Sequence, residues 1–477
     1  MMNKRLAALF TLFLLLFPAK LVAHAHLRKS DPASGARLSS APGGITLEFT
    51  EQPELAFTTV TLTSPDGSLV QLGAPAPSPS SAFGIRVEIP SSLAEGKYLV
   101  SWKTAASDGH PTHGRFEFVV LPGAEGLASA STTVVTDSTV AAGVQSMRQR
   151  MSRDESAAMT ADENFATESP AYVIIRWLDL AGVVVLVGAV AFRQFVVRRL
   201  TDSRSDDSDP IPAASRSAAH WGELAAIVLL VTAGARLAAE TYAMHGAAGV
   251  LDPVLLARMI VGTNWGLAWL FRLGATLLAL LGFYKAERRP GSHGWALATI
   301  AALLLALTLA LGGHAASSPR LRTIAILADT AHVIGAGGWL GSLFLVVVAG
   351  FPAALRLQDG SRAEAAAEMI GAFSPAALIF SASTVATGVF AGWLHIGSLA
   401  ALWESSYGET LLIKVALFCM VASLGAYHWR RAKPRLGDPG AAESLRKTAS
   451  LELLAGVLVI LVTAILVALP TPMNLAP

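Results

Sequence analysis

Eight apolar runs constrain this chain more than any other feature: residues 172–197, 219–241, 264–284, 294–313, 324–349, 373–395, 410–428 and 449–469. Each is long enough to cross a hydrocarbon layer of about 30 Å as a helix. Lipid offers no water to the backbone, so such runs must satisfy their N–H and C=O groups internally. Residues 170–470 therefore read as an all-α polytopic membrane bundle of eight helices. Composition agrees: 53% of residues are hydrophobic and 15% charged, against roughly 25% charged in a soluble protein. The mean hydropathy of +0.52 excludes a wholly soluble or disordered chain.

The loops set the orientation. Fifteen Lys and Arg residues fall in the loops of one side, and only Arg258, Arg320 and Arg322 in those of the other. Positive residues stay inside, so both ends of the bundle lie outside. The N-terminus says the same. Residues 1–23 carry Lys4 and Arg5, the apolar run Leu6–Phe17 and then small residues, the layout of a secretory signal peptide. Cleavage after Ala23 makes His24 the mature terminus; cleavage after Ala25 fits the A-x-A rule better and leaves His26. The expected location is a bacterial inner membrane, multi-pass, with the N-terminal domain and the C-terminus on the periplasmic side.

Between leader and bundle, 24–121 reads as β structure. Ile45–Thr50, Thr58–Thr63, Ile85–Ile89, Tyr98–Lys103 and Arg115–Val120 are alternating or β-branched, and Pro-Gly, Asp-Gly and Gly-Lys turns separate them. That spacing predicts a small antiparallel sandwich or barrel. Residues 122–169 lose periodicity and read as a flexible linker, in which Met147, Met151 and Met159 are isolated.

Several functions are excluded early. A net charge of +2 gives no bulk attraction for nucleic acid. One cysteine rules out disulfide frameworks and thiolate zinc sites. No P-loop is present for nucleotide-driven pumping. Any metal chemistry must use His, Met, Asp, Glu or backbone.

The exported domain has four histidines: His24 and His26 at the mature terminus, and His110 and His113 in the run Ser107–Gly114. A terminal histidine chelates through its amine and one imidazole nitrogen; His110 and the carboxylate of Asp108 would complete a tetragonal N/O set, which favours Cu(II). The alternative is a polar hairpin turn. In the membrane part, His245, His314, His332 and His395 fall at or near outer helix ends, and His220, His293 and His428 at inner ends, where the headgroup interface explains them. Asp329 and His332 share a helix face inside an apolar run, where ionisable groups are costly, so Asp329 could orient the imidazole. Arg176/Asp179 and Arg236/Glu240 have intrahelical pairing distance; Lys414 and Glu452 have no local partner and are expected to pair between the last two helices, the alternative being that Glu452 lines a pathway.

The run from His24 through Leu27, Pro32 and Gly35, followed by Ser107-Asp108-Gly109-His110-Pro111-x-x-Gly114-x-Phe116-x-Phe118, resembles the CopC family. The resemblance implies a cupredoxin-like, immunoglobulin-like all-β sandwich binding Cu(II) through His24, Asp108 and His110, with His26 and His113 secondary. Its register favours His24 as the terminus. The methionine-rich Cu(I) motif of some members is absent. The membrane part resembles the CopD family through Gly313-His314-Ala315-Ala316, Asp329-x-x-His332 with Trp339-Leu340-Gly341, Thr384–Gly388, Tyr407-Gly408 before Leu411-Leu412-Ile413-Lys414, and Glu452. Fused CopC–CopD chains are a known form. The implied function is periplasmic copper binding and copper transport across the inner membrane, most readily import, with Cu(I) or Cu(II) following a membrane path of His314, His332, Asp329, His245 and His395. The chain is then no enzyme; its partners are copper ions, the lipid bilayer, and periplasmic copper chaperones or a separate reductase, with no nucleic acid. The alternatives are periplasmic copper sequestration with the bundle as an anchor, a haem-linked electron carrier, and, more distantly, a copper mono-oxygenase.

Overall fold

The computed structural model describes residues 27–50, 52–81, 83–105, 111–122, 169–201, 210–289, 293–312, 321–354, 356, 359–427, 430, 441–469 and 472. His24, His26, Asp108, His110, His314, His428 and most of the linker lie outside them.

Nine strands form two facing sheets. One has the order β1 (Leu27–Asp31), β3 (Gly44–Phe49), β7 (Gly84–Glu88), β6 (Ala76–Pro77); the other runs β2 (Arg37–Leu38), β9 (Pro111–Val120), β8 (Gly96–Ala105), β4 (Thr59–Thr63), β5 (Leu69–Val70). All pairs are antiparallel except β2 with β9. Strand alternation supplies the core. Ile45, Leu47 and Phe49 of β3 point inward with Ile85 of β7, against Tyr98, Val100 and Trp102 of β8 and Phe116, Phe118 and Val120 of β9. Phe49 meets Trp102 edge-on at 5.0 Å, and Tyr98 stacks on Phe118 at 5.5 Å. The sandwich is thus the all-β domain that the alternation predicts. The five expected strands are present, and the four unexpected ones, β1, β2, β5 and β6, include three of only two residues each.

Among the described residues, eight helices are long and apolar enough to span a membrane: α1 (Pro170–Leu200), α2 (Ile211–Ala243), α3 (Trp265–Arg288), α4 (Gly294–Leu311), α5 (Arg322–Ala354), α6 (Glu364–Ile396), α7 (Ser406–Tyr427) and α8 (Ala449–Leu466). Hydropathy misses two short helices in the loops, Pro253–Val261 and Ala401–Glu404. The first begins at Asp252, whose carboxylate accepts from the backbone N–H of Val254 at 2.8 Å and of Leu255 at 3.3 Å, an N-cap.

Consecutive helices pack from α1 to α6, α7 packs on α8, and α8 returns to α1. Helix α1 sits at the centre, touching α2, α4, α5 and α8. Its approach to α5 requires glycine. A Cβ on Gly188 would lie 2.2 Å from the Gly341 carbonyl carbon, so the two backbones pack directly. Gly341 closes one of two wide π-helical turns in α5, Gly337–Gly341 and Val346–Gly350. Burial is uneven: 67% of the α5 span window is buried, but only 6% for α6 and 11% for α7.

Candidate functional site

The charges of α1–α4 are braced between helices rather than within them. Asp179 of α1 is paired with Arg272 of α3 at 2.8 Å, their side chains 5% and 10% exposed. Arg272 also donates to Thr308 of α4 at 3.0 Å, and Thr232 of α2 donates to Asp179 at 3.3 Å. Nearer the outer side, the Tyr172 hydroxyl donates to Glu240 at 2.5 Å. Arg176 lies over the Tyr172 ring at 5.0 Å and donates to the Ala464 carbonyl of α8 at 3.1 Å. The expected intrahelical pairing of Asp179 with Arg176 is therefore corrected. Helical spacing allows that pair, but a guanidinium on a neighbouring helix reaches the same carboxylate head-on. This network reads as a structural brace.

A second group of ionisable residues lies between α5, α6 and α7, and its bonding differs. His332 of α5 places Nδ1 3.1 Å from the Thr384 carbonyl and 3.1 Å from the Thr387 hydroxyl oxygen, both on α6. The Thr387 hydroxyl proton is already directed to the Ser383 carbonyl at 2.7 Å. Both partners are thus acceptors, which puts the ring proton on Nδ1 and leaves the Nε2 lone pair free to bind a ligand. Among the described residues Nε2 makes no hydrogen bond and is not sealed within the packing. Gly388 completes the cradle: a Cβ there would stand 3.3 Å from His332 Cε1. The Thr384–Gly388 stretch is therefore the seat of the imidazole. Asp329 was expected to orient this ring, and the threonines do so instead.

Asp329, one turn further out on α5, makes no hydrogen bond or direct ion pair among the described residues, nor does Lys414 of α7. The two charges are nonetheless within electrostatic reach of each other, Lys414 also acts on His332, and Asp329 on Tyr407. The expected Lys414–Glu452 pair is corrected as well. Glu452 lies against Gly425, where an added Cβ would be 3.2 Å from its carboxylate, and Gly425 is about 16 Å along α7 from Lys414 at 1.5 Å per residue.

The depth of this group follows from helix rise. Asp329 and His332 lie about 10 and 15 Å from the N-terminal end of α5, and Lys414 about 12 Å from that of α7. Above them, Tyr407, Leu466, Leu469, Ile396 and Leu411 form an apolar cluster. Below, Trp339 meets Phe418 at 5.4 Å, with Phe380 packed beside them. Three ionisable side chains are thus held between two apolar layers, within helices long and apolar enough to span a membrane. His332 is deeper than its position in the sequence implied. His395 stands about 12 Å further out along α6 than Thr387, and His245 belongs to the outer end of the helix continuing α2, which packs on α1 and α3. Of the sandwich candidates, only His113 is described; it is exposed on β9, paired across from Lys103. Among the described residues no three His, Cys, Asp or Glu side chains gather to hold a metal ion. Sequence reasoning missed Lys414 as a member of this group and Thr387 as the partner of His332. An unpaired lysine inside an apolar run was the available signal.

Three family models match the chain in order: CopC domain over 27–121, Copper resistance protein D-like, N-terminal domain over 166–321, and Copper resistance protein D over 367–466. The chain belongs to the fused CopC–CopD copper transport and resistance family. Among relatives of this family, the Copper transport protein CutJ of Bacillus subtilis is 25% identical over the whole chain and 80% of its own length. Protein YobA of Escherichia coli is 34% identical over 98 residues, 20% of this chain and 79% of YobA. Among solved structures, CopC from Methylosinus trichosporium OB3b is 26% identical over 22% of this chain and all of its own, with a TM-score of 0.20. PcoC, a copper resistance protein from Escherichia coli, is 27% identical over 20% of this chain and 98% of its own, with a TM-score of 0.19. The CopD matches leave out residues 322–366, the stretch that carries Asp329, His332 and the wide turns of α5.

Proposed function

We propose that the chain binds copper on the outer side of the inner membrane and moves it inward across the bundle. The observation that carries this reading is the His332 imidazole, whose Nε2 is left bare by the Thr384 carbonyl and Thr387 hydroxyl, with Asp329 one helical turn away on the same face of α5. A nitrogen and a carboxylate oxygen form a donor pair acceptable to copper ions. Two ligands rather than four suit a station that must also release its cargo. Lys414 balances Asp329 while no cation is there, and an arriving Cu(I) ion takes over that role, with no change of net charge when the ammonium gives up its proton to solvent.

Outside, Cu(II) would be collected by His24, Asp108 and His110, with His26 and His113 as further donors, in a domain held beside the mouth of the bundle. His314, His245 and His395, near outer helix ends, would line the approach. Inward movement follows the membrane potential, which favours cation entry by about 2.3 kcal/mol per charge per 100 mV. A periplasmic reductase or chaperone would deliver copper in the oxidation state the path accepts. The test is cellular copper uptake at matched expression. His332→Gln and Asp329→Asn should each abolish protein-dependent uptake, and a deletion strain should hold less cytoplasmic copper. Normal uptake in both variants, or higher cytoplasmic copper on deletion, rejects transport in this sense.

A further inference from the structure

Among the described residues the sandwich touches the bundle through Phe57, Lys103 and strand β9. Phe57, in the 3-10 turn Leu55–Phe57, is 5% exposed although it projects outside the sandwich core, because it packs with Met259 and Trp265 of the bundle, beside Leu237 and Trp269. Met259 accepts a hydrogen bond from Thr241 of α2 at 3.2 Å, and Trp269 donates to the Ala233 carbonyl at 3.0 Å, so the receiving surface is itself fixed. Beside this plug, the Lys103 ammonium of β8 donates to the Ala243 carbonyl at the outer end of α2. The Ala243 carbonyl lies six residues before the helix ends at Gly249, so this is a direct ammonium–carbonyl hydrogen bond to the side of the helix. Apolar plug and cationic contact thus address adjacent parts of one surface.

We propose that this contact is a built docking site, in which the chain's own sandwich seats in one pose on the outer ends of α2 and α3 instead of ranging freely on its linker. Three features favour the sandwich as occupant over lipid. The charged contact needs a hydrogen-bonding cation beside one backbone carbonyl of α2, which Lys103 supplies. The aromatic plug comes from a turn that no sandwich function otherwise requires. The linker keeps the local concentration of the sandwich high, so a modest contact suffices. Docking presents the end of the β8–β9 hairpin, where Ala105 pairs with Pro111.

The inference does not depend on copper movement, and its test needs no copper. With Cys419→Ser removing the native thiol, Lys103→Cys and Ala243→Cys are placed in the full chain in native membranes. A short bifunctional thiol reagent joins them, and a protease site introduced in the linker reports whether the two parts stay attached. A control pair uses Leu69→Cys, 72% exposed on β5. Leu69 lies beside Thr63, at the opposite end of β4 from the Thr59 that pairs with Lys103, about 13 Å away along the strand. The Lys103 pair should link at least tenfold faster than the Leu69 pair, and Trp265→Ala should reduce it to the control rate. Phe57→Asp should do the same; because that change could also unfold the sandwich, the bundle-side variant decides. Equal rates for the two pairs, or a Trp265→Ala rate unchanged from the parent, overturns the docking site.

Discussion

Replacing Asp179 by Asn should destabilise the bundle out of proportion to the change in size. The Asp179–Arg272 bridge is 2.8 Å long between side chains only 5% and 10% exposed. Removing one partner of a buried pair costs about 3–5 kcal/mol, because the remaining charge is left uncompensated. The structure ranks the two halves. After Asp179→Asn, Arg272 keeps its bond to Thr308 at 3.0 Å and a neutral amide oxygen to donate to, so the cost should sit near 3 kcal/mol. After Arg272→Met, the carboxylate retains only the 3.3 Å bond from Thr232, and the cost should approach 5 kcal/mol. At about 2–4 °C per kcal/mol for a large domain, Asp179→Asn should lower the midpoint of thermal denaturation by about 6–12 °C. The assay is tryptophan fluorescence of the detergent-purified protein during heating. The double variant leaves no stranded charge and should lose less than the sum of the singles by at least about 2 kcal/mol. A single-variant shift below about 1 °C, or strict additivity in the double, would refute the brace.

Other consequences are as open to measurement. Gly388→Val should displace the His332 ring, since even a Cβ would stand 3.3 Å from Cε1; copper uptake should vanish while the purified protein keeps its elution volume, and retained uptake argues against the cradle. Thr387→Val removes one of two acceptors on Nδ1 and should reduce uptake or affinity about 10–100-fold, as loss of a ligand-orienting partner does; Thr387→Ser should restore it. In the sandwich, hydrogen bonds from Ser64 and Ser68 hold the Asp66 carboxyl at about 2, below its ordinary 3.8. A depressed folded value means the turn's contribution to stability is complete above the unfolded value and is lost as pH falls towards 2. An NMR titration of Asp66 with a midpoint near 3.8 would contradict those bonds.

The sequence disclosed the two architectures by different routes. Strand alternation around Ile45, Leu47, Tyr98, Val100, Phe116 and Phe118 identified the inward face of each main strand, because period two admits only one assignment once a side is apolar. Strands β2, β5 and β6 were not legible: two residues carry no period, and what pairs them is a neighbour distant in sequence. Apolar length located the eight spans, whereas the short helix after Asp252 needed cap chemistry to be seen. The site was half legible. Asp329 and His332 stood out as ionisable groups in an apolar run, and Thr384–Gly388 stood out as a motif without a stated use. That these two belong together is a fact of helix packing, invisible in spacing along one helix. The same blindness explains Asp179: its neighbour three residues away was visible, and its partner 93 residues away was not.

The uneven burial of the bundle has a mechanical meaning. Helices α1–α4 are cross-stitched by polar bonds that hold a fixed geometry, while α6 is fastened to α5 through the imidazole, and α7 leans on α8. Between α6 and α7, a Cβ added at Gly392 would stand 4.0 Å from Leu411, an apolar contact. Such contacts slide at little cost, since they have no directional bond to break. The molecule thus has a stiff frame and one greased seam, with Lys414 on its α7 lip and Asp329 and His332 on α5, behind the α6 lip. Amide exchange should be slowest along α1 and quickest along α6 and α7, and a cation arriving between the lips would meet a joint already free to part.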